Sequence, residues 1–408
     1  MADIDPSAFG ARAESMIHIL GSVSAEPKRL VRRFLSPEHR RAADIVASWM
    51  QEEGLSVSED ALGTVRGHWL GSGAMRLLIG SHIVTVVDAG MFDGPFGVIA
   101  GILAAGHFAR AKNRLPFGID VLAFGDEEGS RFPATLASST ACAGIFNMAS
   151  LDLADRDGET LAQAIAHYGK SVADIPAAAY PRDQAAAYVE VHIEQGPVLE
   201  HRNQPLGVVT SIAGQTYLNV ELFGEAGHAG TVPMLLRRDA LAGAAEIILL
   251  AEKLARDSKG DVVATVGHLD ITAKASNVVA GHVVLIADIR SGLESARAQF
   301  VERFKTEMRA IAERRHLGLL VTTTREVPTT PCDPRLQEGF AAALGGQPVK
   351  LASGAGHDGT AMAKLCPIGM LFVRCRGGIS HNPAEYASPA DMGLAVAALI
   401  RFIEGFKP

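Results

Sequence analysis

Apolar residues recur along the chain at two different periods. Ser36 suits a helix N-cap and Pro37 the first helical position. Ala42, Ile45, Val46, Trp49 and Met50 then follow at i, i+3, i+4, i+7 and i+8, and Gly54 closes a predicted helix. Three apolar runs come next, at 77–80, 119–124 and 188–193, each ending in loop-type residues, and each reads as a buried strand. A helix is expected from 95 to about 110. Strands alternating with helices predict an α/β fold with a largely parallel sheet.

The pattern changes in the middle of the chain. Residues 217–223, and parts of 262–269 and 282–288, alternate polar with apolar, while 237–256 and 293–315 carry a helical period. That order suits a small α+β module with one face of an antiparallel sheet covered. After about 328 the α/β pattern returns, with a strand at 370–373 and a closing helix at about 389–406. The expectation is one α/β domain formed by 1–212 and 328–408, interrupted by a module over 213–327.

Composition narrows the function classes. Apolar residues are 48% of the chain and charged residues 20%, which excludes a disordered or collagen-like chain. The net charge is -7 and basic residues form only short pairs, so no nucleic-acid partner is expected. Cys142, Cys332, Cys366 and Cys375 show no CxxC spacing and no disulfide framework, which fits a reducing compartment. The first residues are acidic where a signal peptide would be basic, and the longest apolar stretches fall far short of the ~20 residues of a membrane span. A cytoplasmic protein without a membrane partner is expected.

The chemistry sits after the strands. Ser81-His82 follows the first run, Gly125-Asp126-Glu127-Glu128-Gly129 the second, and His192, Glu194, Gln195 and Gly196 stand at the end of the third. Gly378-Ile379-Ser380-His381-Asn382-Pro383 follows the fourth. In an open α/β sheet the loops beyond the carboxyl ends of strands converge on one crevice. Nitrogen and oxygen ligands without thiolate suit zinc, manganese, cobalt or nickel. Each residue alone has an ordinary explanation: a strand-end His as hydrogen-bonded structure, Asp93 as a helix cap, Glu127-Glu128 as a solvated loop, Arg290 as a surface residue. Ligand-type residues in all four loops together point to a metal site.

These blocks resemble the M20 family of dinuclear metal amidohydrolases, in the branch of allantoate amidohydrolases and N-carbamoyl-L-amino-acid hydrolases. The resemblance runs through Gly80-Ser81-His82, Phe92-Asp93-Gly94, the 124–132 run, Val191-His192-Ile193-Glu194-Gln195-Gly196-Pro197 and Gly227-His228-Ala229-Gly230-Thr231. It continues in Arg237-Arg238-Asp239-Ala240, Ser353-Gly354-Ala355-Gly356-His357-Asp358 and the 378–385 run. It implies a zinc-peptidase-like catalytic domain, its mainly parallel mixed sheet flanked by helices, with an inserted α+β dimerisation (lid) domain. It also implies two divalent metal ions per subunit, zinc or manganese, with cobalt or nickel as further options. His82, Asp93 and His192 would hold one ion, and Asp93 would bridge to a second held with Glu128 and His381. Glu127 would be the general base, its side chain pointing away from that of Glu128 as neighbours on a strand do. His228 would polarise the substrate carbonyl across a homodimer, Arg290 would grip a substrate carboxylate, and Gln195, Gln215, Asn277 and His357 would supply other polar contacts.

Two departures stand out. Where the family reads His-x-Asp, this chain has His82-Ile83-Val84, so the Asp that accepts the other ring proton of the metal histidine is missing. Ser138-Ser139-Thr140 replaces a common Gly-Ser-Arg. The leading expectation is hydrolysis of a ureido carboxylate, allantoate above all, a lean that comes from Val232 and the 372–378 run. An N-carbamoyl-L-amino-acid hydrolase or β-ureidopropionase is the alternative enzyme. A metal-poor, catalytically impaired ligand-binding dimer is the alternative that Val84 raises.

Overall fold

The computed structural model describes residues 4–111, 115–272 and 275–408. In chain order the first elements are α1 (Pro6–Gly21), α2 (Pro37–Glu52), β1 (Ser56–Glu59), β2 (Val65–Trp69), β3 (Arg76–His82), α3 (Pro95–Ala111), β4 (Gly118–Phe124), α4 (Ala137–Cys142), α5 (Leu161–His167), β5 (Ala185–Ile193), α6 (Val198–His201) and β6 (Leu206–Ile212). There follow β7 (Gly214–Phe223), β8 (Gly227–His228), α7 (Ala240–Asp257), β9 (Val262–Ile271), β10 (Val278–Val279), β11 (His282–Ser291), α8 (Glu294–Arg314), β12 (Gly318–Val327) and β13 (Thr330–Pro331). The chain closes with α9 (Pro334–Leu344), β14 (Val349–Ser353), α10 (Gly359–Met362), β15 (Ile368–Val373) and α11 (Pro389–Gly405). It divides into two compact units, one of residues 1–210, 332–351 and 355–408, the other of 211–331 and 352–354.

The first unit is built on a mixed sheet of order β1-β2-β4-β3-β5-β15-β6. Its centre, β4-β3-β5-β15, is parallel. These strands are buried along nearly their whole length, which explains why they read as continuous apolar runs. α3 is buried on every side and so is apolar all round rather than amphipathic. Ser36 Oγ accepts from the backbone N–H of His39 and Gly54 has φ +86°, so the helix signals read from 36–54 act as expected. α1 went unread in the sequence, although Asp5 caps it and Pro6 opens it; it packs on α11. β1, β2 and β6, antiparallel to β2, β4 and β15 respectively, were also unread.

Register sets the site. His82 at the end of β3 lies opposite Phe124 at the end of β4, and His192 on β5 lies opposite Phe372 on β15. The loops that follow β3, β4, β5 and β15 therefore leave the sheet along one edge.

The second unit has a four-stranded antiparallel sheet of order β12-β7-β11-β9, with α7 and α8 packed on it. β11 alternates half-buried with buried residues along its whole length, as a sheet covered on one face requires. Val220, Leu222, Leu285 and Ile289 meet Ile247, Phe300 and Phe304 of the helices in its core.

Candidate metal centre

Asp93 sits where three histidines converge. Its Oδ1 lies 3.1 Å from His192 Nε2 and 3.5 Å from His82 Nε2, and its Oδ2 lies 3.3 Å from His381 Nε2. His381 Nε2 is also 3.6 Å from Glu128 Oε1. Among the described residues four groups could each close around a cation: His82-Asp93-His192, Asp93-Glu128-His381, His82-Glu127-Glu128, and Glu190-His192-His357, with ligand atoms within 4.8 Å of one another in each. Asp93 is common to the first two. It is not the cap of α3: Gln195 Nε2 and Ser380 Oγ donate to its Oδ2, at 2.7 and 2.8 Å.

The residues fit a metal. Among the described residues His192 Nε2 is buried without a well-aligned hydrogen bond, although Asp93 Oδ1 lies 3.1 Å away, an arrangement that a metal held between the two would satisfy. His82 Nδ1 is 3.1 Å from the Val84 carbonyl and His192 Nδ1 is 2.9 Å from the Ile193 carbonyl. A carbonyl only accepts, so each Nδ1 carries a proton, and in the neutral ring each Nε2 offers a lone pair. The acceptor missing from the Val84 side chain is thus replaced by the Val84 main chain.

Electrostatics agree. Burial opposes a charged His82, but the bond to Asp93 and the charges of Glu127 and Glu128 outweigh it and lift its pKa well above the usual imidazole range. His381 is about 51% exposed and rises to about 9, chiefly through Asp93. Burial would raise the Asp93 carboxyl, yet His192, His381 and His82 bring it well below the usual range. A field that binds protons to three rings also binds a divalent cation, and the two compete.

Glu127 and Glu128 do not diverge as expected. They stand in the loop after β4 rather than on a strand, so strand alternation does not apply, and both carboxylates reach His82. Burial first, then Glu128, Asp358 and Asp93, push Glu127 well above the ordinary carboxylate range. Ser138 has a definite role in holding this loop. Its Oγ accepts from the backbone N–H of Gly125 and of Asp126, at 3.0 and 2.8 Å.

Several supporting residues were missed as such in the sequence. Glu385 accepts from the N–H groups of Phe92 and Asp93 at 2.9 and 3.0 Å, and its Oε2 lies 2.9 Å from Ser380 Oγ, whose one hydrogen serves either Glu385 or Asp93 at a time, tying the Asp93 turn to the His381 loop. Buried Glu190 takes Ser81 Oγ, Tyr188 OH and the Gly359 N–H. Gln195 and His381 both adopt positive φ, +57° and +53°, strain held by the surrounding loops. His357 is buried with its ring centroid 4.5 Å from that of His192.

The other residues expected in the site belong to the second unit. Gln215 on β7 lies directly opposite Arg290 on β11. His228 on β8 pairs with Val278, and the Ala229 N–H donates to the Asn277 carbonyl. His228 Nδ1 accepts from the Gly230 N–H at 3.0 Å, which leaves Nε2–H as a donor. Arg290 was expected to grip a substrate carboxylate, a contact for which a free guanidinium fork would serve. Its Nε and Nη2 instead grip Asp288, Nη2 also donates to Tyr217 OH, and Nη1 donates to the Gly354 carbonyl. One Nη1 hydrogen is left over.

An α/β sheet that gathers histidines and carboxylates at the carboxyl ends of its strands has the donor set of a divalent metal site. A sequence model of peptidase family M20/M25/M40 matches residues 79–405, and the chain belongs to that family. It is 37% identical to the allantoate deiminase of Arabidopsis thaliana, over 98% of this chain and 83% of the relative. It is 38% identical to the N-carbamoyl-L-amino acid amidohydrolase of Geobacillus stearothermophilus, over 96% of this chain and 97% of the relative. The solved structure of a hydantoinase/carbamoylase-family amidase from Burkholderia multivorans superposes with a TM-score of 0.90, at 29% identity and 97% coverage of both chains. The chain is an enzyme of the amidohydrolase type, and its family implies divalent metal ions. The metal-poor, impaired alternative finds no support among these relatives.

Proposed function

We propose that this enzyme hydrolyses the ureido group of a small carboxylate, and that allantoate is its substrate, giving ureidoglycine, ammonia and carbon dioxide. The convergence of His82, His192 and His381 on Asp93 carries the reading. The likeness to plant allantoate deiminases over 96–99% of the chain supports the substrate. The comparable likeness to N-carbamoyl-L-amino acid amidohydrolases favours a second reading, in which the substrate is an N-carbamoyl amino acid.

Two divalent ions, one held by His82, Asp93 and His192 and one by Asp93, Glu128 and His381, would polarise the ureido carbonyl and lower the pKa of the attacking water. Glu127 takes the proton from that water and delivers it to the departing nitrogen. His228, supplied by the partner subunit of a homodimer, donates Nε2–H to the oxyanion that develops on the carbonyl. Arg290 recognises the carboxylate through its remaining Nη1 hydrogen, or through its fork once Asp288 yields. Gln195, Gln215, Asn277 and His357 complete the polar lining. The free edge of β9, with Val263 and Leu269 exposed, is a surface suited to pairing with a second copy.

The test is ammonia release from allantoate, N-carbamoyl amino acids and ureidopropionate, in the wild type and in Arg290→Ala. The expected result is a kcat/KM for allantoate at least ~10-fold above the others, and a loss of about 100-fold or more in Arg290→Ala, as for a charge-assisted contact of ~3 kcal/mol. Preference for N-carbamoyl amino acids would select the second reading. No turnover of any ureido compound would overturn both.

A further inference from the structure

The acceptor that orients His82 belongs to the Val84–Thr85 peptide; the main chain of Arg32 holds that peptide, and the buried Arg32 side chain holds the carbonyl of the peptide before it. Arg32 is fully buried, and no carboxylate pairs with it among the described residues. Such a cation is costly unless its donors are used; Nε and Nη1 are, while Nη2 is buried without a hydrogen-bond partner among the described residues. Arg32 Nε donates to the Ile83 carbonyl at 2.5 Å, and Nη1 donates to the carbonyls of Leu20 and Val23 at 2.7 and 3.0 Å. The main chain of the same residue grips Thr85: the Arg32 N–H donates to Thr85 Oγ1 at 3.1 Å, and the Thr85 N–H donates to the Arg32 carbonyl at 3.0 Å.

Those contacts fix a direction. The Thr85 N–H and the Val84 C=O belong to one planar trans peptide, so they point opposite ways. With the N–H turned to Arg32, the carbonyl is turned away from it, and His82 Nδ1 lies there at 3.1 Å. The Val84 side chain cannot swing to free the peptide, because it is buried in an apolar cluster with Phe34, Leu62 and Phe132.

We propose that Arg32 is a positioning residue for the metal site: by holding residues 83–85 it aims the Val84 carbonyl at His82 and so fixes the ring that offers Nε2 to the metal. It takes over the duty that a carboxylate at position 84 would have. The inference rests on the two-metal reading above.

The experiment compares wild type, Arg32→Lys and Arg32→Met by titrating zinc against a chromophoric chelator, at a temperature far below each protein's unfolding midpoint. Met keeps volume and suits burial, so it provides a folded variant if Lys does not. The expected result is two zinc ions in the wild type and, in the variants, one of the two dissociation constants raised ~10–100-fold with the other within about threefold. The His82 Nδ1–H resonance of the zinc-loaded protein should also exchange faster with solvent in the variants. Both constants unchanged in a folded variant overturns the inference, as does an equal loss at both sites in step with lowered stability. A wild type that binds no zinc removes the two-metal reading itself, a different outcome from the other two.

Discussion

Gly94→Ala perturbs the site without touching any ligand. Gly94 has φ +80°, and a Cβ added there would lie 2.4 Å from His82 Cε1 and Nδ1 and 2.5 Å from Nε2. Ordinary contact begins near 3.4 Å, so the ring or the turn must move by about 1 Å. His82 is 2% exposed and is tethered to the Val84 carbonyl, so it has no open space to enter. The left-handed backbone alone costs an alanine about 1 kcal/mol, and the clash adds about 1–2 more. A displacement of ~1 Å at a preorganised site costs on the order of 100-fold in function. The expected outcome is a fall of 2–3 kcal/mol (about that size) in urea-unfolding stability and a metal affinity lower by ~100-fold at one site. Gly158→Ala is the control: it has φ +84° and nothing within 4 Å of an added Cβ. It should lose about 1 kcal/mol and bind metal normally. Gly94→Ala protein with wild-type stability and both affinities within threefold of wild type would refute the close approach of the Asp93 turn to His82.

Glu127→Gln should keep both metal affinities within a few-fold and lower kcat by at least ~100-fold, as loss of a general base does; near-normal turnover would remove Glu127 from the mechanism. His39 is fully buried, and burial, with Arg40 and Arg32 adding to it, pushes its pKa down to about 3. The unfolded chain protonates this residue first, near pH 6.5, so its contribution is complete above that pH and is lost as pH falls toward 3. Between pH 7 and 4.5 this amounts to about 2–3 kcal/mol, and His39→Gln should show a correspondingly shallower loss of urea-unfolding stability; equal slopes would contradict the burial of a neutral ring. Mixing inactive His228→Ala with inactive Glu127→Gln, under conditions where subunits exchange, should restore part of the activity, because one hybrid site has both groups intact; proven exchange without recovery would place His228 outside the partner's site.

The central strands were legible because they are buried on both faces, and burial writes a continuous apolar run that ends where the ligand loop begins. β3, β4, β5 and β15 were found to within a few residues for that reason. β1 and β2 were not, since short antiparallel strands with half-exposed residues carry little period. α1 was overlooked although its signals were present in Asp5, Pro6 and the spaced residues Ala13, Met16, Ile17 and Leu20. At the site, residue types and loop positions were readable, and the structure brings His82, Asp93 and His192 together, and Asp93, Glu128 and His381. What a sequence cannot express is the direction of a main-chain group. Val84 looked like a lost function because only its side chain is written, while its carbonyl makes the contact. The converging pair Glu127-Glu128 and the engagement of Arg290 with Asp288 were likewise set by loop path and cross-strand geometry, which no local pattern encodes.

The proposed site would hold two metals that share Asp93. The most direct measurement is titration of chelator-stripped protein with manganese or zinc while following ammonia release from allantoate. Activity should be absent from the stripped protein, and it should return in full only as the second equivalent of metal per subunit is bound. Full activity in the stripped protein, or a maximum reached at one equivalent, would contradict it.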